Sequence, residues 1–171
     1  GSGQGIKLEE LTFREGAPEG LWTKWDLRGE KTHEVNYRNG KPDGLCVIWE
    51  GGQKREEFSY KDGKRHGMYR YWKHGEEVNR CTFENDKLSG LYSIFNDGRK
   101  IAETFFKGGI RDGVDTRWHE NGQKKRQVTW KNGKLEGLAN GWHENGQKAW
   151  TTTWKNGKRE GLANGWHENG Q

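Results

Sequence analysis

Three histidines are the first residues in this chain whose type and spacing suggest chemistry. His119, His143 and His167 recur every 24 residues, each directly after a tryptophan and each followed by Glu-Asn-Gly. Imidazoles at a fixed interval invite a metal or acid–base reading. Stacked on successive structural units, they come about 10 Å apart, whereas His ligands lie about 2 Å from a shared ion. One metal therefore cannot gather them. Glu120, Glu144 and Glu168 repeat in the same turns, and a two-carboxylate site needs an unrepeated pair in a cleft. His33, His66 and His74 share no pattern. No serine has a His/Asp context, and neither a phosphate loop nor an HExxH motif occurs. Cys46 and Cys81 are 35 residues apart at different repeat positions, without CxxC or Cys/His zinc spacing. They read as buried thiols, with a disulfide as the alternative. No catalytic residue, cofactor or metal is expected.

The elements that carry these residues are repeats. A glycine followed by an apolar residue, with an aromatic four positions further on, recurs at Gly20, Gly44, Gly67, Gly90, Gly113, Gly137 and Gly161, spaced 24, 23, 23, 23, 24 and 24 residues. A fixed period in this range marks an array rather than a globular domain. Each unit has two turns. The first follows the aromatic by four or three residues, as in Trp25 to Gly29 or Trp49 to Gly52, and that difference accounts for the two periods. The second is Asn39-Gly40, Asp62-Gly63, Asn85-Asp86, Gly108-Gly109, Asn132-Gly133 or Asn156-Gly157, dipeptides suited to the positive φ angles of tight hairpins. The segments between them are of strand length and carry Thr, Val, Tyr, Trp and Phe. The expected fold is all-β: an elongated single-layer solenoid of about seven stacked antiparallel β-hairpins, roughly 65–70 Å long at about 4.8 Å per strand. Gly1-Ser2-Gly3 reads as a cloning remnant. Residues 1–12 read as that remnant plus an N-terminal cap segment, and residues 13–171 as the array with its last unit cut short.

Composition sets limits. Only 29% of residues are hydrophobic and 32% are charged, a balance that leans toward disorder. Ten Trp, five Tyr and six Phe at fixed repeat positions argue for a thin but real core. The net charge is +5, and its excess lies in the lysines of the last repeats, so it reads as a solvated face and not a nucleic-acid footprint. No apolar run approaches the 18 or so residues of a membrane span.

Period-two alternation assigns faces. One face holds Leu21/Trp25, Leu45/Trp49, Met68/Trp72, Leu91/Phe95, Val114/Trp118, Leu138/Trp142 and Leu162/Trp166, and is expected to form the hydrophobic spine with the second-strand aromatics Tyr37, Tyr60, Phe83, Phe106, Trp130 and Trp154. The opposite face reads Trp22/Lys24, Cys46/Ile48, Tyr69/Tyr71 and Tyr92/Ile94 in repeats 1–4, but Asp115/Arg117, Ala139/Gly141 and Ala163/Gly165 in repeats 5–7. Two readings stay open. The large residues pack against second strands or the N-terminal Ile6, Leu8, Leu11 and Phe13, or they form an exposed stripe that anchors a partner, rimmed by Lys24, Arg70, Arg80 and Glu103. On the second reading the partner-binding residues are Trp22, Ile48, Tyr69, Tyr71, Tyr92 and Ile94, and the uniform late repeats act as spacers.

The run Tyr60-Lys61-Asp62-Gly63-Lys64-Arg65-His66-Gly67-Met68-Tyr69 and the run Trp154-Lys155-Asn156-Gly157-Lys158-Arg159-Glu160-Gly161-Leu162 resemble the MORN-type repeat. Trp142-His143-Glu144-Asn145-Gly146-Gln147-Lys148 is similar to its bacterial variant, found in YwqK-like antitoxin proteins. The resemblance covers roughly residues 13–171, with Asn85-Asp86, Gly108-Gly109 and Val114 as departures that bear on local turn geometry. It implies stacked hairpins that serve as interaction modules, with no catalytic residues to carry over. The expected function is a non-enzymatic antitoxin or immunity protein that docks on a cognate toxin and occludes it. The alternative is a MORN-type scaffold or a membrane- or cell-surface module. Edge-to-edge self-association is a further expected contact. The compartment stays open, with the cytoplasm favoured unless a signal peptide has been removed.

Overall fold

A computed structural model describes residues 7–170 of the chain. The expectations for Gly1-Ser2-Gly3 and for Ile6 lie outside the described residues. The chain divides into two compact units, one of Gly1–Glu77 with Phe83–Asp86 and one of Val78–Thr82 with Lys87–Gln171.

All regular structure among the described residues is β. The first unit contains β1 (Glu9–Glu10), β2 (Phe13–Arg14), β3 (Ala17–Pro18), β4 (Gly20–Trp25), β5 (Lys31–Arg38), β6 (Lys41–Glu50), β7 (Gln53–Lys61), β8 (Lys64–Arg65) and β9 (Gly67–Lys73). Strand β10 (Glu76–Glu84) contributes residues to both units. The second unit contains β11 (Lys87–Leu88), β12 (Gly90–Asn96), β13 (Arg99–Lys107), β14 (Ile110–Trp118), β15 (Lys124–Lys131), β16 (Lys134–Leu135), β17 (Gly137–Trp142), β18 (Lys148–Lys155) and β19 (Lys158–Gly165). In the first unit β4, β5, β6, β7 and β9 pair antiparallel in chain order, β1 joins β4, and β2 and β3 form a separate small hairpin. In the second unit β12, β13, β14, β15, β17, β18 and β19 do the same. The repeated antiparallel hairpins match the all-β expectation.

Turn chemistry produces this register. Both residues of Asn39-Gly40 and of Asp62-Gly63 have positive φ, as do those of Gly108-Gly109, Asn132-Gly133 and Asn156-Gly157. That is the type I′ geometry, whose twist matches the flanking strands. Asn85-Asp86 adopts it too, with φ of 50° and 67°. The two lengths of the first turn also acquire a cause. The short form is another two-residue turn with positive φ at both positions, as at His74-Gly75. The long form, Trp-His-Glu-Asn-Gly, is a wider loop in which the Gly122 N–H returns to the His119 carbonyl at 2.9 Å and only Gly122 has positive φ.

The long loops also explain the recurring histidines. His119 Nε2 donates to the Trp142 carbonyl at 2.8 Å, and His143 Nε2 to the Trp166 carbonyl at 2.8 Å. Asn121 and Asn145 donate to the Glu144 and Glu168 carbonyls at 2.6 and 2.8 Å. Each loop thus clips the same loop of the next repeat, which is a structural use for residues that first suggested chemistry.

The core lies partly where the alternation did not place it. Val35, Cys46 and Phe58 are buried together, with Trp22, Tyr37, Ile48, Tyr60 and Tyr69 packed against them. In the second unit Thr104, Asp115, Val128, Ala139 and Thr152 are buried in the corresponding row. The expected spine residues Leu21, Leu45, Met68, Leu91, Val114 and Leu138 are instead about half exposed, and Leu162 is 82% exposed. The reason is geometric. Among the described residues no second layer covers the sheet in either unit, so a side chain is hidden only by neighbours along its strand and on adjacent strands. These residues each follow a glycine of positive φ, and neighbouring side chains cover them only in part. Leu8 and Phe13 are also exposed, at 45% and 61%, so they do not cap the large residues.

Two outcomes follow from this architecture. Replacing His143 with alanine removes one clip and should lower stability by about 1 kcal/mol, read as a lower urea midpoint; an unchanged midpoint would show that the clip contributes nothing. Burial, helped by Glu56, pushes the Cys46 thiol up to about 11, and both cysteines are buried. A thiol reagent at pH 8 should therefore leave Cys46 unmodified in the folded protein and label it once urea is added; rapid labelling of Cys46 in the native state is the contrary result.

Candidate partner-binding faces

Alternation along the strands puts all six expected anchor residues on the same face of their own strands, but they divide between the units. Trp22, Ile48, Tyr69 and Tyr71 belong to the first, Tyr92 and Ile94 to the second. In the first unit three of them serve packing. Trp22 lies against the buried cluster opposite Val35, its ring centroid 6.0 Å from that of His33. Tyr69 sits between Phe58 and Phe83 at centroid distances of 5.9 and 5.8 Å, and its hydroxyl donates to Glu56 at 3.2 Å. Ile48 also packs against the cluster, while Tyr71 reaches further from it. Arg55 stands over the Tyr71 ring at 5.5 Å and is itself paired with Glu50. These three, with Trp72 and His74, border a recess of about 290 Å³. In the same unit, burial followed by the Lys24 ammonium holds His33 below the usual imidazole range, with Glu56 acting in the opposite sense. A neutral ring is thus favoured beside Trp22.

In the second unit Tyr92 packs on Phe106 at 6.2 Å, and burial raises its phenol above the usual value. Ile94 is 37% exposed. Trp22, Ile48, Tyr69 and Tyr92 therefore serve packing, while Tyr71 is half-buried and Ile94 exposed.

The expected charged rim needs correction. Lys24 is on the ring-bearing face, but Arg70, Arg80 and Glu103 point to the other side. Arg70 Nε reaches Met68 sulfur at 3.2 Å, Arg80 lies over Phe95 at 4.8 Å, and Glu103 accepts from Ser93 and pairs with Lys100. An odd offset from the anchors puts each on the reverse face.

That reverse face has its own pattern. A β-bulge at the head of the second strand in most repeats places residues i and i+3 on one side, so Lys31 meets Glu34, Lys54 meets Glu57 and Lys100 meets Glu103. The same lysine row covers the next tryptophan, Lys54 over Trp72 at 5.4 Å and Lys100 over Trp118 at 6.0 Å. Each such contact at a half-exposed site contributes roughly 0.5–1 kcal/mol.

Sequence reasoning missed a large concavity. On the ring-bearing side of the second unit, the small residues Ala139 and Ala163 leave a trough of about 690 Å³ beneath Trp130, Trp150 and Trp154, lined by Arg111, Arg117, Arg126 and Arg159. Ala139 and Gly141 had suggested plain spacer repeats. The signal that was present is Trp150, a tryptophan outside the ladder and in register with Gly141 across the strand pair. A Cβ on Gly141 would lie 2.1 Å from Trp150 Nε1, so the indole rests directly on the glycine backbone. Among the described residues no group of three or more His, Cys, Asp or Glu side chains is arranged to hold a metal ion, and no helix is long and apolar enough to cross a membrane.

No curated protein sequence matches the chain. Among solved structures it is similar to a mutant of S. aureus TarM in complex with Fondaparinux, alpha-GlcNAc-glycerol and UDP, at 13% identity over 77% of this chain and 21% of that one, with a TM-score of 0.33. It is also similar to TarM in a second crystal structure, at 13% identity over 75% and 22%, with a TM-score of 0.31. The chain spans about a fifth of the length of those chains, and likeness at these scores supports no functional argument. The family model of the MORN repeat matches residues 36–54, 59–68 and 153–163, segments that include I′ turns and following glycines of both units.

Proposed function

We propose that this chain is a non-enzymatic protein-binding module that acts as an antitoxin or immunity protein, docking the ring-bearing face of its hairpins on a cognate toxin and occluding its active site. MORN-type repeats are in general interaction modules without catalytic groups, and a surface built by repetition suits that role. The observation that carries the reading is the pairing of Tyr71 with Arg55 beside Ile48, set next to a packed cluster that holds its neighbours in place. Tyrosine and arginine anchors on a rigid support are what protein interfaces use most strongly. Trp22 and Tyr69 give that support, and Tyr92 and Ile94 offer equivalent anchors in the second unit.

The test is co-expression with the product of the adjacent gene and measurement of binding and growth. Tyr71→Ala and Ile48→Ala should each weaken the complex at least about tenfold, roughly 1.4 kcal/mol, and restore toxicity. Tyr69→Phe, which keeps the ring and loses only the bond to Glu56, should bind as the parent does. Full protection by the folded Tyr71→Ala, Ile48→Ala double variant would overturn the assignment of this face.

One observation favours the MORN-type membrane-surface reading as a second possibility. Leu21, Leu45 and Met68 are half exposed on the reverse face of the first unit, together with lysines set over tryptophans. Apolar residues flanked by such pairs suit a lipid interface. Co-sedimentation with anionic vesicles that disappears at high salt and in Leu21→Ser, Leu45→Ser would support it, and no sedimentation at low salt would exclude it.

A further inference from the structure

The trough of the second unit differs from any surface considered so far. Its floor is Val128, Ala139, Thr152 and Ala163. Val128, Ala139 and Thr152 are buried, Ala139 to 1% exposure, by the strands beside them. In the first unit the corresponding row carries Cys46, Phe58 and Tyr69, which fill the space. The trough therefore exists because small side chains replace large ones, and because Gly141 lets Trp150 lie flat on the backbone.

Its electrostatics are one-sided. Four arginines line it and no carboxylate does. Asp115, the acid paired with the lining Arg126, is buried and already committed, accepting from Thr104 Oγ1 at 2.8 Å and from Arg126 Nη2 at 3.3 Å. Arg111 stands over Trp130 at 5.0 Å and Arg159 over Trp154 at 5.5 Å. Stacking holds these guanidinium groups in position while leaving their N–H edges for acceptors. It also covers ring faces that a nucleobase would need for stacking. Trp130 Nε1 and Arg126 Nε are buried and find no acceptor among the described residues.

We infer that this trough binds an extended acidic segment of a protein partner, with carboxylates on the arginines and an aliphatic side chain against Trp150 and Ala163. Charge complementarity selects the occupant. Fixed arginine forks match carboxylates, and a shallow apolar floor bordered by tryptophan accepts an aliphatic chain but offers no depth for a folded domain. The inference shares with the function proposed above only that the partner is a protein. Its residues are separate from Tyr71 and Ile48, so each idea fails alone.

The probe is a capped synthetic peptide of alternating Glu and Leu, titrated by calorimetry into the full chain, with a Gln-for-Glu peptide, an oligo-deoxythymidine and anionic vesicles as comparisons. The expected result is saturable binding of the acidic peptide below about 1 mM, no binding of the Gln peptide, and weakening with added salt. Arg111→Gln with Arg159→Gln should reduce affinity at least tenfold. Should that variant misfold, Ala163→Leu, which raises the floor, is expected to give the same loss. Tyr71→Ala should leave peptide affinity unchanged. No saturable binding, equal binding by the folded Arg111→Gln, Arg159→Gln variant or, where that variant misfolds, by Ala163→Leu, or tighter arginine-dependent binding of the oligonucleotide or vesicles would each overturn the assignment.

Discussion

Side chains on one β layer can hide only behind each other. In each unit no second sheet or helix packs on the strands, so every buried atom is covered by a residue directly across a strand pair or along the same strand. Cross-strand neighbours lie about 4.5–5.5 Å apart, which is enough for Val35, Cys46 and Phe58 to bury one another. It is not enough to enclose a large side chain, and none of the described large residues is fully buried. Stability must then be distributed as many small contributions repeated at each unit. The ring contacts, the guanidinium and ammonium groups over rings, and the His and Asn clips between loops are those contributions.

The same constraint ties architecture to recognition. Since each row of the sheet is filled by whichever residues face each other there, changing residue size within a row alters surface shape without altering the fold. Cys46, Phe58 and Tyr69 make a filled row in the first unit, while Ala139 and Ala163 open a trough in the second. A repeat frame held by turns can thus carry different binding surfaces in different repeats, and its backbone need not change. Register is what must be kept, because a one-residue slip would exchange the two faces. The positive-φ pairs such as Asn39-Gly40 and Asn132-Gly133 hold that register.

Much of the fold was legible in the chain itself. The I′ turns were readable because only a few dipeptides tolerate positive φ at both positions, and Asn85-Asp86 follows the same geometry despite its departure from Asn-Gly. The anchor residues were assigned to a common face because alternation is a local property. Less was legible about burial. Leu21 and Leu45 looked like core since they are apolar and periodic, yet about half of each stays exposed. Arg70, Arg80 and Glu103 were placed on the wrong face because proximity in the chain was weighed above alternation.

The trough marks the limit most clearly. Gly141 and Trp150 are nine residues apart, and nothing about either alone predicts that one indole lies on the other's backbone. By itself, the order of residues determined the period, the hairpins and the alternation of side chains, for these depend on φ preferences and on contacts a few residues away. Only the tertiary structure decided which rows are covered, which arginines rest on which rings, and where a row of small residues becomes a cavity. Those outcomes depend on the sizes of side chains brought side by side from different strands, a sum over neighbours that no local pattern contains.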